Sequence, residues 1–235
     1  MYFSSMCNHV SIRGSQYLKV ELPDYRVDYN NNEPYYHVSG FTRPFLPVTM
    51  NTDQKAVIAA QWKLIPFWVK NEESAKKYAN TLNAKSESIF QAASYKPYIN
   101  KYRGLLWIDG FFEPHKNEKT GAAENYYIYT PDKELFTLGI VVAPWTNQET
   151  GEIVNTFSII TTDANPLLAE IHNEKKRMPL VIPESDRDAW LNADNKDQIQ
   201  SLMVPYEGEL SAHKVYRVTA DRTGNTNRPD IQNPI

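Results

Sequence analysis

What most restricts the fold of this chain is a succession of short apolar runs, each bounded by turn chemistry. Residues 55–62, 104–112, 125–130, 135–142, 156–162 and 178–182 are rich in Ile, Val, Tyr, Phe and Leu, which favour pleated, half-buried backbone. Polar stretches separate them. Residues 28–35 read as a turn or loop, and residues 117–121 and 147–151 each as a hairpin or longer loop, because Asn, Pro and Gly favour those backbone states. Helical segments are fewer and short: 72–79, 95–102, 165–173, 186–191 and 196–203. Ser185 ahead of Asp186 and Asp188 has the form of an N-cap with an acidic first turn. Many strands, short helices and no βαβ rhythm predict an α+β fold on a largely antiparallel, barrel-like sheet with short flanking helices. With 235 residues, 41% of them hydrophobic, the chain can bury a substantial core. A single domain over 1–235 is expected.

Several function classes are disfavoured. One cysteine, Cys7, rules out an internal disulfide and makes a reducing, cytoplasmic setting the expectation. No run approaches the ~18 apolar residues of a membrane span, and residues 1–6 lack the basic and apolar regions of a secretory signal. No Cys/His spacing resembles a zinc site and no Gly-rich loop is built to cradle phosphate, so neither metal nor other cofactor is expected. The net charge of −3 argues mildly against nucleic acid, but its distribution argues the other way. Residues 63–103 carry eight Lys or Arg against three acids, and Lys175, Lys176 and Arg177 form a second basic cluster. Such local charge either holds phosphates or forms a solvated face.

Four segments carry chemistry. In Met6-Cys7-Asn8-His9 the cysteine follows an internal methionine. As an internal residue Cys7 is a small buried hydrophobe; were translation to begin at Met6, or residues 1–6 to be removed, it would become a 1,2-aminothiol. An α-amine titrates near 7.7–8.0, so about a third of such amines are neutral near pH 7.5, against about one Lys in a thousand. The neutral amine adds to an aldehyde as a Schiff base, and the adjacent thiolate then closes a thiazolidine. The second segment, Leu82-Asn83-Ala84-Lys85-Ser86-Glu87-Ser88, offers an amide and a point charge for phosphate, or an ordinary helix cap. In the third, Glu113 ends the aromatic strand that begins Trp107-Ile108-Asp109-Gly110-Phe111-Phe112. It is either a strand-end surface residue or a general acid/base with a raised pKa. The fourth is the Thr156–Pro166 run followed by Ile171-His172 and Arg177-Met178-Pro179, where His172 is a cap or a proton carrier. Of the other histidines, His115 has a supporting place beside Glu113, while His37 and His213 read as loop or surface residues.

In combination and in order, these segments resemble the SRAP family, the SOS-response-associated peptidase-like proteins, over about residues 6–220. The matching elements are Met6-Cys7; Gln61-Trp62-Lys63-Leu64-Ile65-Pro66-Phe67-Trp68; Asn83-Ala84-Lys85-Ser86-Glu87; Asp109-Gly110-Phe111-Phe112-Glu113; residues 159–165; and His172 with Arg177-Met178-Pro179. The resemblance implies the SRAP fold and a sensor that cross-links itself to abasic sites in single-stranded DNA, with self-processing that exposes Cys7. On the family pattern Cys7 forms the thiazolidine and Asn83 orients the N-terminal residue and the sugar. Glu113 shuttles protons, and His172 assists opening of the deoxyribose ring or reversal of the link. Lys85 and Arg177 match phosphate contacts, Thr161 a further polar DNA contact, and Phe67 and Trp68 an aromatic wedge. A monomer acting on DNA, away from membranes, is implied. The chain departs from the pattern where Asn8-His9 replaces the usual Gly-Arg, Asn-Ala-Lys replaces Asn-Ala-Arg, and Pro114 follows Glu113 in place of Trp.

Competing readings differ in what they ask of Cys7. A thiol hydrolase would use it as nucleophile with His172 as base and Glu113 or Asn83 in support. A non-catalytic nucleic-acid-binding domain would need only the basic 63–103 surface. A structural globule would simply bury it.

Overall fold

The computed structural model describes residues 7–132, 134–218 and 226–235; Met6, whose removal would expose Cys7, lies outside them. In the first half the elements are β1 (His9–Ile12), α1 (Ser15–Glu21), β2 (Arg26–Val27), β3 (Tyr35–Ser39), β4 (Phe45–Met50), β5 (Asp53–Trp62), α2 (Glu72–Lys77), β6 (Asn83–Lys85), β7 (Arg103–Ile108) and β8 (Gly110–Lys116). The second half holds β9 (Ala123–Tyr129), β10 (Phe136–Thr146), β11 (Ile153–Asp163), α3 (Pro166–Ile171), β12 (Arg177–Pro179), β13 (Val181–Ile182), α4 (Arg187–Asn192), α5 (Lys196–Ser201) and β14 (Ser211–Val215). None of these helices is long and apolar enough to cross a membrane.

The strands form two sheets. The smaller runs β14-β9-β8-β1-β3, all antiparallel. The larger runs β12-β11-β10-β7-β4-β5-β2, and a parallel pairing of β5 with β11 (Gln61 opposite Thr156) closes β11, β10, β7, β4 and β5 into a five-strand ring. The barrel-like expectation is therefore met, with parallel pairing, among the described residues, confined to β2–β5, β5–β11 and β6–β11. The main core contains Val10, Leu46, Val48, Trp62, Leu138, Ile140, Phe157 and Ile159, together with Cys7. Trp62 stacks on Phe157 with centroids 6.3 Å apart and donates its indole N–H to the Leu82 carbonyl at 3.0 Å. The fully buried Trp is thus satisfied as well as packed.

Two long hairpins use the same loop, Asn-x-x-Thr-Gly, at 117–121 and 147–151. Each Asn side chain accepts backbone N–H bonds inside the loop, and each Gly sits at positive φ (69° at Gly121, 75° at Gly151). These are states that Asn and Gly supply at low cost.

The apolar run 104–112 is not one strand. It breaks at Asp109, where the chain leaves the larger sheet as β7 and enters the smaller one as β8. Asp109 turns inward onto Ser11 and Arg13. Gly110 lies so close to the Tyr127 ring that a Cβ there would sit 2.3 Å from it. Residues 103–116 therefore couple the two sheets and carry Glu113 to the junction. The run 178–182 also divides, because Leu180 donates to Ile160 and accepts from Gly139, bridging β11 and β10.

Other expectations are corrected. Residues 95–102 make successive turns, not a helix; Pro97 lacks the N–H that a continuous helix needs. Ser185 is not a helix cap: it bonds the Asp186 side chain at 3.0 Å, and Asp186 precedes α4 without a side-chain cap. His37 and His213 lie on strands, since β3 and β14 pair into the smaller sheet. His37 is buried, and half-buried His213 donates to the Gln232 carbonyl.

Candidate functional site

Three elements converge on Cys7. β1 starts two residues after it, β8 delivers Glu113, and α3 ends at His172. Asn165 caps α3 by accepting from the Leu168 N–H at 2.9 Å, with Pro166 in the first turn. That local code fixes where the helix stops and hence where His172 stands. His115 supports the same corner: its Nδ1 bonds the Ile171 carbonyl at 3.0 Å, and its ring packs edge-on to Tyr126, the residue opposite Glu113.

The Cys7 backbone N–H donates to Glu113 Oε1 at 3.1 Å. Cys7, Glu113 and His172 are all essentially inaccessible to water. Burial lifts the Glu113 carboxyl from 4.5 to about 8, against the opposing pull of the Cys7 N–H and of Lys175. Of the two readings of Glu113, a strand-end surface residue is therefore excluded. Burial, helped by the charge of Glu113, also pushes the Cys7 thiol well above its usual range. His172 is lowered, chiefly by burial.

His172 Nδ1 donates to the Arg177 carbonyl at 3.1 Å, which leaves Nε2 as the lone-pair nitrogen. Its distance to Glu113 Oε2 is 3.9 Å, too long for a hydrogen bond. Neither Glu113 Oε2 nor His172 Nε2 has a hydrogen-bond partner among the described residues, although both are buried. An unpaired buried polar atom costs about 1–3 kcal/mol, so two beside one cysteine mark a place arranged for a polar ligand.

Asn83 joins this centre through Asn8, its Nδ2 donating to Asn8 Oδ1 at 2.7 Å. Its backbone carbonyl accepts from Tyr95 Oη at 2.8 Å. The parallel register of β6 on β11 sets Asn83 opposite Ile159 and Lys85 opposite Thr161, while β12 sets Arg177 opposite Asp163. Lys85, Thr161 and Arg177 thus share one edge of the barrel. Lys85 is exposed and Thr161 buried.

Arg177 is mostly buried, and its terminal nitrogens are engaged within the chain. They reach both carboxylate oxygens of Glu87, Asp163 at 3.0 Å and the Thr161 carbonyl at 2.7 Å. The clamp of Glu87 on Arg177, missed by the sequence reasoning, has no sequence signal beyond opposite charge. Phe67 and Trp68 are 60% and 39% exposed and pack edge to face, with centroids 5.1 Å apart. The Phe67 N–H is held by Tyr98 Oη at 2.7 Å.

A mostly β barrel with a buried Cys–Glu–His centre beside a Lys/Arg/Thr edge defines a narrow class. The family model for SOS response associated peptidase (SRAP) matches residues 6–221, and the chain belongs to that family. The abasic site processing protein YoqW of Bacillus subtilis is 29% identical over 202 residues, covering 83% of this chain and 86% of its own length. The abasic site processing protein HMCES of Pongo abelii is 23% identical over 240 residues, covering 91% of this chain and 65% of its own. A crystal structure of a Bacteroides thetaiotaomicron protein superposes with a TM-score of 0.84 at 32% identity, over 97% of this chain and all of that one.

Proposed function

We propose that this protein senses abasic sites in single-stranded DNA and captures the ring-opened sugar covalently through Cys7, once that residue is N-terminal. The observation that carries the proposal is the Cys7 N–H bound to a buried Glu113 whose second oxygen has no partner among the described residues. The names of the relatives YoqW and HMCES, both abasic site processing proteins, point to the same substrate.

The chemistry follows from the dry surroundings. With Cys7 N-terminal, the nitrogen now bonded to Glu113 would be an α-amine. An ammonium–carboxylate pair and a neutral amine–carboxylic acid pair hold the same number of protons, and burial favours the neutral pair. The neutral pair is the reactive one, supplying a nucleophile and an acid together. The amine attacks the aldehyde carbon; Glu113 gives its proton to the oxygen, takes one from the nitrogen and delivers that second proton, so that the oxygen leaves as water; the Cys7 sulfur then adds to the resulting C=N bond and its S–H proton returns to Glu113. The product is a thiazolidine, with one water released per aldehyde captured. His172, with Nε2 as lone-pair nitrogen, would take a proton from a sugar hydroxyl during ring opening. Exposed Lys85 would meet the phosphate backbone, Arg177 would reach it in competition with Glu87, buried Thr161 would brace Arg177 from behind, and Phe67 and Trp68 would stack on bases. A single SRAP domain acting as a monomer is part of this proposal.

A thiol hydrolase would need the thiolate at neutral pH, and both influences on Cys7 oppose it. The test is intact mass of the purified protein before and after incubation with single-stranded DNA carrying an abasic site. A mass beginning at Cys7 and a heat-stable adduct that Cys7→Ala cannot form are expected. A mass retaining residues 1–6 with no adduct would overturn the proposal.

A further inference from the structure

We infer that Asn8 is a substrate-binding residue, its side-chain Nδ2 donating a hydrogen bond to the oxygen of the aldehyde that Cys7 attacks; this rests on the capture reading above.

Asn8 is almost wholly buried and directly follows the nucleophile. Its backbone carbonyl accepts from the Gly40 N–H at 2.9 Å, which fixes the main chain, and its Oδ1 accepts from Asn83 Nδ2 at 2.7 Å, which fixes the amide plane. The other arm, Nδ2, is buried with no hydrogen-bond partner among the described residues. It is thus the third unpartnered polar atom in this centre, with Glu113 Oε2 and His172 Nε2.

The three differ in chemical sense. His172 Nε2 is an acceptor and Glu113 Oε2 either accepts or, when protonated, donates, whereas an amide nitrogen only donates. A hydroxylated aldehyde matches that set, with hydroxyl hydrogens for the acceptor and a carbonyl oxygen for the amide. As the Cys7 amine adds, the C=O π bond opens and negative charge gathers on that oxygen before Glu113 protonates it. A donor already oriented towards it stabilises the charge without reorganising. Glycine, usual in the family at this place, supplies no such donor, so this chain has a contact that the general pattern lacks.

The experiment measures the rate of adduct formation at saturating single-stranded abasic DNA for wild type, Asn8→Gly and Asn8→Ala. Thermal melts and affinity for intact single-stranded DNA are measured alongside. Asn8→Gly and Asn8→Ala should react at least about tenfold more slowly, with affinity for intact DNA unchanged. The same loss should appear with free deoxyribose as the aldehyde, because it shares the carbonyl and carries no phosphate. In an Asn83→Ala background, Asn8→Gly should still lower the rate several-fold.

Equal rates for folded wild type and both Asn8 variants would overturn the inference. So would a loss confined to DNA, which would assign Nδ2 to a phosphate oxygen. An effect erased by Asn83→Ala would reduce Asn8 to a positioning residue acting through its neighbour, and would also overturn it. Absence of any adduct in wild type would instead overturn the capture reading and this inference with it. A variant that melts early is judged on the other variant and on deoxyribose at low temperature.

Discussion

The Cys7 centre and the Arg177 edge treat polar atoms in different ways. Around Cys7, buried acceptors and a donor are left without partners and charge is suppressed. Around Arg177, a cation is wrapped by two carboxylates and a carbonyl, and the Glu87 carboxyl is held below its usual range by that contact. The first region holds unmet hydrogen-bonding capacity, which a ligand can satisfy at little further cost. The second has largely met its own, so a phosphate approaching Arg177 competes with Glu87, a bidentate charge-assisted pair being among the stronger polar contacts. Unpaired atoms mark where binding is prepared; an arginine whose terminal nitrogens are already engaged marks where binding is contested.

Four experiments bear on this contrast. The largest effect is expected at Glu113. Glu113→Gln keeps the shape and an acceptor for the Cys7 N–H but cannot exchange a proton, so capture should slow by about a hundredfold, measured as single-turnover adduct formation. A wild-type rate would remove Glu113 from the chemistry. The same substitution reports on stability. The folded chain retains a proton on Glu113 up to about pH 8, whereas the unfolded chain releases it near 4.5. The contribution of this group is therefore complete below about pH 4.5 and lost as pH rises to 8. Glu113→Gln should be more stable than wild type above pH 8 by roughly a few kcal/mol, and the gap should close towards pH 4.5; parallel denaturant titrations at both ends read it directly.

Next in size is the aromatic pair. Trp68→Ala should weaken binding to single-stranded DNA by about 1–3 kcal/mol, whatever the base sequence, with the melting temperature little changed; fluorescence anisotropy would report it. The smallest effect, and the one that sharpens the contrast most, is Glu87→Gln. Freeing Arg177 should tighten single-stranded DNA binding a few-fold and steepen the log–log salt dependence by about 0.7. If affinity is unmoved and only stability falls, the Glu87–Arg177 pair is a structural brace and the edge binds DNA without it.

The barrel was legible because its ring strands are runs of β-branched and aromatic residues, and five of the six predicted runs contribute to it or adjoin it. What escaped notice was masked by local chemistry. β4 contains Pro47, which argues against a strand, but Pro47 faces Ala59 of β5 where β4 has not yet begun to pair with β7, a position that needs no donor. β3 follows an Asn- and Pro-rich loop that dominates its window. In the site, Cys7, Glu113 and His172 were singled out from the sequence, and their convergence required the crossover at Asp109 that no linear pattern announces. Asn8 stood out only as a departure from a family pattern. Glu87 was invisible as a partner of Arg177 because the two are joined by pairing across β11, far apart in the chain.

The burial of Cys7 has a further consequence for durability. Peroxide and alkylating agents react with exposed thiolates, and oxidation climbs from sulfenic to irreversible sulfinic acid. A sulfur kept as S–H, out of water and beside a carboxyl group, is a poor target for both. The arrangement that makes Cys7 a sluggish general nucleophile would also preserve it chemically through long idle periods; on the proposed capture reaction, a residue spent in one event would still be intact when that event arrives.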